Sequence, residues 1–283
     1  MSESILDHGF IAEEHAPDPV TSHGDPTPPG KVAIWLFLAS EVMFFIGLLA
    51  TYIIFRSGNA KLFGDHAMAL DKRLAGINTL VLIFSSLTMA LAVDAAQKGN
   101  RSRTIACLAL TVLCAFGFMG IKYTEYRGKL THHSIVAKSE DGKLTYIYDG
   151  HIHERDSKEI KIEGYRGIVE PGPFDIHWMS QHQVAELAKK NGEGEEEKEY
   201  TIPTAHIAQD ITYGPWKNTF YACYFITTGV HGLHVVGGIV ALVLLLGHAV
   251  RGKLLPPHTE YVGLYWHFVD LVWIFLFPLL YLI

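Results

Sequence analysis

The sequence predicts an all-α membrane protein, a bundle of five transmembrane helices with a small α+β extramembrane insertion between helices three and four. Three observations lead to this prediction. Five windows of about 20 residues or more are almost free of charged residues, which is the length needed to cross a bilayer. Most links between these windows are short, as in a bundle of antiparallel neighbours. One link is much longer and has a different, charged composition.

The distribution of charge, rather than its amount, identifies the membrane spans. The chain is 49% hydrophobic and 18% charged, values that also suit a large soluble domain. The charged residues, however, lie almost entirely outside five windows, and residues 219–250 contain no Asp, Glu, Lys or Arg. A helix rises about 1.5 Å per residue, so each window can span the hydrocarbon core. The predicted spans are residues 32–55, 74–96, 104–123, 219–250 and 261–283.

The first 31 residues are polar and rich in proline, and they contain no Lys or Arg before Lys31. A secretory signal peptide needs a basic N-terminal region, so residues 1–31 are predicted to be a disordered tail instead. The net charge of −6 gives no reason to expect a nucleic-acid partner. The three cysteines lie in apolar windows and fit small packing residues better than metal ligands or disulfides.

Residues 128–212 form the predicted insertion. The segment LTYIYDGHIHE suggests two short strands about a turn at Asp149–Gly150, and EIKIEGYRGIV suggests a third strand. SQHQVAELAKKNG suggests a helix that ends at Asn191–Gly192, followed by the charged linker GEGEEEKEY. Lys and Arg residues near the spans divide almost evenly between the two membrane sides, so the positive-inside rule does not orient the chain.

Several ionisable residues lie at membrane depth, where such groups are costly and therefore suggest a function. They are Glu41, His231, His234, His248, His267 and Asp270. An unpaired Glu41 would be neutral, since burial disfavours the charged carboxylate. The pair His231 and His234 has the spacing i, i+3, as has the pair His267 and Asp270, so each pair shares one helix face. We predict a hydrogen-bonded polar seam between helices four and five, or between this chain and another.

Three interpretations of these residues remain open from spacing alone. Haem ligation could use His234 and His248, but helix five offers only one facing histidine and helices one to three offer none. A proton path through Glu41 and the histidines would suit a transporter, but five spans without an inverted repeat argue against an autonomous one. Buried polar groups that satisfy one another and fix the helix register are the simplest interpretation.

Two long and chemically unusual segments carry a resemblance to a known family. YFITTGVHGLHVVGG in helix four and YWHFVDLVWIFLF in helix five resemble subunit III of the haem–copper oxidases. FLASEVMFF in helix one, INTLVLIFSS in helix two and KYTEY at the end of helix three are also similar to that family. The resemblance covers the five spans.

The resemblance implies more than the spacing does. Subunit III of this family holds no haem or copper, packs against the catalytic subunit I, and binds phospholipid near the entry of a proton path. Glu41 matches the family's buried glutamate, which has a proton or lipid role, while His231, His234, His267 and Asp270 match its seam residues. The chain is thus expected to be a redox-silent subunit of a proton-pumping terminal oxidase in aerobic respiration. Haems and copper are expected only in partner subunits.

The chain departs from the longest family members, which have seven helices, and resembles five-helix bacterial forms. The resemblance implies a bacterial inner-membrane location with a cytoplasmic N-terminus and a periplasmic insertion and C-terminus. Cytochrome c is the expected electron donor. A quinol oxidase or a nitric-oxide-reductase relative is the alternative.

The insertion has no counterpart in the common family pattern, and its role is open. Acidic residues outnumber basic ones, so it could guide a basic cytochrome c to the complex. His151 and His153 would point the same way on a strand, as a metal site requires. Packing against neighbouring subunits is the favoured interpretation, since so small a domain buries little apolar area alone.

Overall fold

A computed structural model describes residues 29–68, 70–138, 144–169 and 198–282. Five of its helices are long and apolar enough to cross a membrane. They are α1 (Pro29–Gly58), α3 (Lys72–Gln97), α4 (Arg101–Thr131), α5 (Thr219–Val250) and α6 (Pro256–Phe277). A short helix, α2 (Ala60–Met68), lies between α1 and α3, and a π-helical turn, Pro278–Leu282, follows α6. The predicted bundle of five membrane-spanning helices is confirmed.

The helices α3, α4, α5 and α6 form the centre of the bundle, and α1 lies at its edge. Helix α3 packs against α4 and α6, while α5 packs against α4 and α6. The buried residues of α1 are Leu38, Phe45 and Tyr52, which are seven residues apart and form one narrow stripe. Large apolar side chains elsewhere face outward, such as Met43 at 75% and Leu233 at 70% exposure. This inverted pattern suits a surface that is covered by lipid or by another subunit.

Polar side chains cap the N-termini of three helices, and glycines lie in the tight connections between helices. The side chains of Asp71, Asn100 and Asn218 accept hydrogen bonds from backbone amides in the first turns of α3, α4 and α5. Gly99 and Gly252 adopt positive φ angles of 70° and 85° in the two tight connections of the bundle. These connections make sequential helices antiparallel neighbours.

Three boundaries differ from the sequence prediction. Helix α1 begins at Pro29, because proline suits the first helical turn, so the last residues of the predicted tail are helical. The rest of that predicted tail lies outside the described residues. Helix α4 continues to Thr131, past the apolar window, and α6 begins earlier than predicted, with proline again in its first turn.

A close helix contact joins α5 to α6 at Gly238. Trp266 and Trp273 of α6 are fully buried. A Cβ atom on Gly238 of α5 would lie 2.7 Å from the Trp266 ring, so only glycine leaves room for this indole. The small residue at position 238 thus allows the close helix approach that small residues provide in membranes.

The described residues of the insertion form a five-stranded antiparallel sheet. Its strands are β1 (His132–Lys138), β2 (Leu144–Arg155), β3 (Glu159–Val169), β4 (Lys198–Pro203) and β5 (Ile207–Thr212), in the spatial order β4-β3-β2-β1-β5. A small cluster of isoleucines from four strands packs on it: Ile135, Ile147, Ile160, Ile162 and Ile202. Strand β1 follows α4 directly, without a linker.

The sheet differs from the predicted insertion in two ways. Strand β2 runs through Asp149–Gly150 without a turn, and an irregularity in its register with β3 at this point absorbs the glycine. Strand β4 begins inside the predicted charged linker, because pairing with β3 outweighs the low strand propensity of its charges. Strand β3 matches the predicted third strand. The predicted helix over residues 180–192 lies outside the described residues.

The contact between Gly238 and Trp266 gives a first prediction. Gly238→Ala should destabilise the protein by about 1–3 kcal/mol, because its methyl group overpacks the indole. Gly232→Ala on the same helix is the control, since a Cβ there meets nothing within 4 Å. Thermal unfolding in detergent would measure both variants. Equal melting temperatures for the two variants would contradict the packing.

Candidate functional site

Glu41 on α1 and His234 on α5 form a hydrogen-bonded pair at membrane depth. The Glu41 Oε2 atom lies 3.0 Å from His234 Nε2, and both side chains are mostly buried. The other ring nitrogen, Nδ1, lies 2.9 Å from the Val230 carbonyl oxygen, which can only accept a hydrogen bond. The proton on Nδ1 is therefore directed to that carbonyl, and Nε2 is left for Glu41.

A hydrogen bond between Glu41 Oε2 and His234 Nε2 requires one proton between them, and either group can carry it. If the imidazole is neutral, its bare Nε2 accepts from a protonated Glu41. If the imidazole is charged, Nε2–H donates to the carboxylate. Both forms have no net charge, which removes the cost of an isolated ion in lipid. Sequence reasoning identified Glu41 as buried, but it did not identify His234 as its partner.

His231, one turn before His234, has a different environment. Its ring is 1% exposed and lies against the Phe118 and Trp273 rings, at centroid distances of 5.8 Å and 5.2 Å. Neither ring nitrogen has a hydrogen-bond partner among the described residues. In this structure His231 acts as a packing residue between α4 and α6.

Three side chains of α6 form hydrogen bonds with side chains of α3. His267 Nδ1 lies 2.6 Å from the Ser86 hydroxyl oxygen. Two buried indoles make the same connection: Trp266 Nε1 donates to Ser85 Oγ at 3.1 Å, and Trp273 Nε1 donates to Thr79 Oγ1 at 3.0 Å. Asp270 is 3% exposed and interacts with the Ser86 hydroxyl, although neither carboxyl oxygen has a hydrogen bond of standard geometry among the described residues.

The structure therefore places the predicted seam residues at three different contacts, with His231 against rings of α4 and α6. His234 joins α5 to α1, whereas His267 and Asp270 face α3. The reason is geometric: Trp266 occupies the side of α6 that faces α5, and the next residue, His267, is turned by about 100° around the helix. The hydrogen bond that does join α6 to α5 runs from the Tyr265 hydroxyl to the His234 carbonyl, at 3.0 Å.

A buried ionic cluster at the sheet end of the bundle was not predicted. Glu125 on α4 accepts hydrogen bonds from Lys122 (2.8 Å), Lys129 (3.3 Å), Tyr224 (2.7 Å) and Tyr281 (2.8 Å). The Lys122 ammonium also lies 4.5 Å from the Trp273 ring centroid. The spacing i, i+3, i+7 of the three charged residues places them on one helix face, a signal that was present in the sequence.

His66 on α2 forms a second polar contact that was not predicted. It pairs with Asn218 at the membrane surface. Its Nε2 lies 2.8 Å from the side-chain nitrogen of Asn218, the capping residue of α5. The ring stacks on Phe220 and is 1% exposed. Burial, assisted by the nearby Lys217 charge, lowers the pKa of His66 to about 3. A neutral imidazole therefore fixes α2 to the end of α5.

His151 and His153, the candidate metal ligands of the sheet, contact different partners instead of facing a common point. The His151 ring contacts His132 at a centroid distance of 4.0 Å, while His153 Nε2 bonds Glu163 at 2.7 Å. Within residues 29–68, 70–138, 144–169 and 198–282, no group of three or more His, Cys, Asp or Glu side chains is close enough to hold a metal ion.

An ion pair network connects β1, β2 and β5. His133 Nδ1 lies 2.8 Å from Asp210 Oδ1, and Arg155 pairs with the other carboxyl oxygen. The hydrogen bond to His133, together with the Arg155 charge, holds the pKa of Asp210 below its usual range. This network stabilises the edge of the sheet.

Comparison with known proteins identifies similar chains over nearly the whole sequence. The family described as "Cytochrome c oxidase subunit III" matches residues 198–283. A "Probable cytochrome c oxidase subunit 3" from Nocardia farcinica is 27% identical over 89% of this chain and 87% of that protein. A "Cytochrome c oxidase subunit 3" from Alkalihalophilus pseudofirmus is 24% identical over 93% of this chain and 95% of its own length. A "Cytochrome bo(3) ubiquinol oxidase subunit 3" from Pseudomonas aeruginosa is 23% identical over 100% of this chain and 98% of its own length.

The shared proton gives a second prediction. Glu41→Gln should retain stability, because the amide can still donate to His234 Nε2. Glu41→Ala should lose about 1–3 kcal/mol, because it leaves that nitrogen buried without a partner. Thermal unfolding of both variants in detergent measures the difference. An alanine variant as stable as the glutamine variant would show that the pair does not join α1 to α5.

The buried His66 gives a third prediction, on pH. The unfolded chain binds a proton at His66 near pH 6.5, whereas the folded chain does so only near pH 3. The contribution of His66 to stability is therefore complete above pH 6.5 and falls as the pH drops toward 3, by about 2 kcal/mol at pH 5. Melting temperatures at pH 7.5 and pH 5 should differ more for the wild type than for His66→Gln. If the melting temperatures of the two proteins changed equally with pH, protonation of His66 would not be the cause of the lost stability.

Proposed function

We propose that this chain is subunit III of a haem–copper oxidase, a multi-pass membrane subunit of a proton-pumping terminal oxidase that carries no redox centre itself. The observation that carries the proposal is the similarity of nearly the whole chain to proteins named oxidase subunit 3. Five membrane-spanning helices in the structure agree with it.

The surroundings of the intramembrane histidines support the redox-silent part of the proposal. His234 contacts Glu41 and its own helix backbone, and His248 contacts the Leu244 carbonyl. His231 lies between aromatic rings. Bis-histidine haem ligation needs two histidines that face one another from opposite sides of the porphyrin plane, and these three are each in contact with other groups.

The proposed partners follow from the family. The chain would pack against the catalytic subunit I and other oxidase subunits, where the haems and copper lie, and would bind membrane phospholipid on its apolar surface. Relatives named for cytochrome c oxidase favour cytochrome c as the electron donor of the complex. Quinol is the alternative electron donor, because one relative is named as a ubiquinol oxidase subunit.

We further propose that the N-terminus is cytoplasmic and that the sheet and the C-terminus are on the periplasmic side of a bacterial inner membrane. The sheet and the last residues of the chain lie at the same end of the bundle, since α4 ends in the sheet and Tyr281 contacts Glu125 near that end of α4. The Glu41–His234 proton would lie inside the bundle, near a neighbouring subunit that takes up protons.

The fourth prediction tests the redox-silent role. The chain expressed alone in detergent should show no Soret absorption band, while the complex purified through a tag on this chain should contain haem. Replacing His231, His234 and His267 singly with Gln should leave the haem content of the purified complex unchanged. A stoichiometric haem band in the isolated chain would overturn the proposal.

The fifth prediction concerns the sheet, for which we favour packing against neighbouring subunits. Its isoleucine core is small, and a partner surface would add buried apolar area. Replacing residues 132–212 with a short Gly/Ser linker should release other subunits from the purified complex and leave nearly normal turnover in what remains.

The alternative role for the sheet is docking of cytochrome c. A docking role would leave the subunit composition intact after the deletion, but cytochrome c oxidation would be slower and less dependent on salt. If neither composition nor kinetics changed, both roles would be excluded.

A further inference from the structure

A groove of about 380 Å³ runs along the outer surface between α3 and α6. Its rim is formed by apolar side chains that are about half exposed, including Ile83, Leu87, Leu271 and Ile274. Its polar members are Ser86, His267 and Asp270, at membrane depth. A polar group of this kind in an otherwise apolar groove is unfavourable in contact with lipid.

These polar residues have hydrogen-bonding capacity that the chain does not use. Ser86 engages only one ring nitrogen of His267, and the half-buried ring has no other hydrogen-bond partner in the described segments. A neutral imidazole is a donor at one nitrogen and an acceptor at the other, so Nε2 needs a partner whichever tautomer is present. Asp270 lies one turn further along α6, where its buried carboxyl group interacts with the Ser86 hydroxyl, although neither oxygen has a hydrogen bond of standard geometry in the same segments.

Several other polar groups of the membrane-spanning helices have partners inside the bundle, whereas the buried Asn78 and His231 have none among the described residues. Glu41 pairs with His234. Thr88 bonds Thr111 at 2.8 Å between α3 and α4. His231 also lacks partners, but it is 1% exposed and enclosed by aromatic rings. The half-buried His267 thus combines an unused ring nitrogen with a position on an open groove.

We propose that the α3–α6 groove receives a transmembrane helix of another oxidase subunit, which places a hydroxyl or amide side chain against His267. The proposal rests on the proposed function, since it requires that the chain is one subunit of a complex. A serine, threonine, asparagine or glutamine can both donate and accept, so it satisfies either tautomer. The apolar body of the incoming helix fills the groove between Leu87 and Leu271, and removes lipid from the region of Asp270.

Photo-crosslinking in the intact oxidase tests which molecule occupies the groove. A benzophenone amino acid replaces Leu87 or Leu271, whose side chains are 56% and 52% exposed. Controls at Leu113 on α4 and Val240 on α5 are 66% and 55% exposed on other faces. Both groove positions should form an adduct with another oxidase subunit, identified by mass spectrometry of the crosslinked peptide. Adducts with lipid alone at both groove positions would overturn the proposal.

The recognition by His267 is tested with a pair of variants in the same complex. His267→Phe keeps an aromatic ring without hydrogen bonds, and should reduce the crosslink at Leu271 several-fold. His267→Asn keeps donor and acceptor atoms, and should restore most of it. Ser86→Ala removes only the internal partner, and should retain the crosslink. An undiminished crosslink in the His267→Phe variant would show that the groove does not recognise its occupant through this residue.

The controls separate this inference from the proposed function. If haem-carrying subunits copurify while both groove positions contact only lipid, the chain is still an oxidase subunit and the groove assignment alone is wrong. If no haem-carrying subunit copurifies with the tagged wild-type chain, the proposed function itself is wrong.

Discussion

The packing of Trp266 against Gly238 is the interaction on which the bundle depends. The fully buried indole lies on the α5 backbone and donates its one hydrogen bond to Ser85 on α3, so a single side chain fixes α6 between two helices. This fixed position also orients the rest of α6. With Trp266 turned toward α5, the adjacent His267 must face α3, and the Tyr265 hydroxyl reaches the His234 carbonyl.

The sequence predicted those features that depend on composition and local spacing. Charge-free windows identified the five spans, and their short links identified antiparallel neighbours, because both properties are set by the bilayer and by chain length. The sequence could not predict which faces of the helices pack against one another. His231 and His234 share a face by spacing, yet one lies among aromatic rings and the other bonds Glu41, since the neighbour of each is set by packing between distant segments.

The ionic cluster at Glu125 shows a different limit of sequence reasoning. Its three charged residues lie at helical spacing on α4, but Tyr224 and Tyr281 come from parts of the chain far away in sequence. The predicted span included Lys122 but ended before Glu125 and Lys129, although the helix continues past both residues without interruption. In the sheet, likewise, β2 continues through Asp149–Gly150 because pairing with β3 outweighs the turn propensity of these two residues.

The direct passage from α4 into β1 has a mechanical consequence. A helix of 31 residues is about 46 Å long, and no flexible linker separates its last residue from the first strand. Because α4 is joined directly to β1, a tilt of the helix as a rigid body would move the sheet with it. A rigid tilt of about 5° at the N-terminal end would displace the start of the sheet by roughly 4 Å. A small rearrangement on one side of the membrane would in this way produce a larger movement of a surface on the other side.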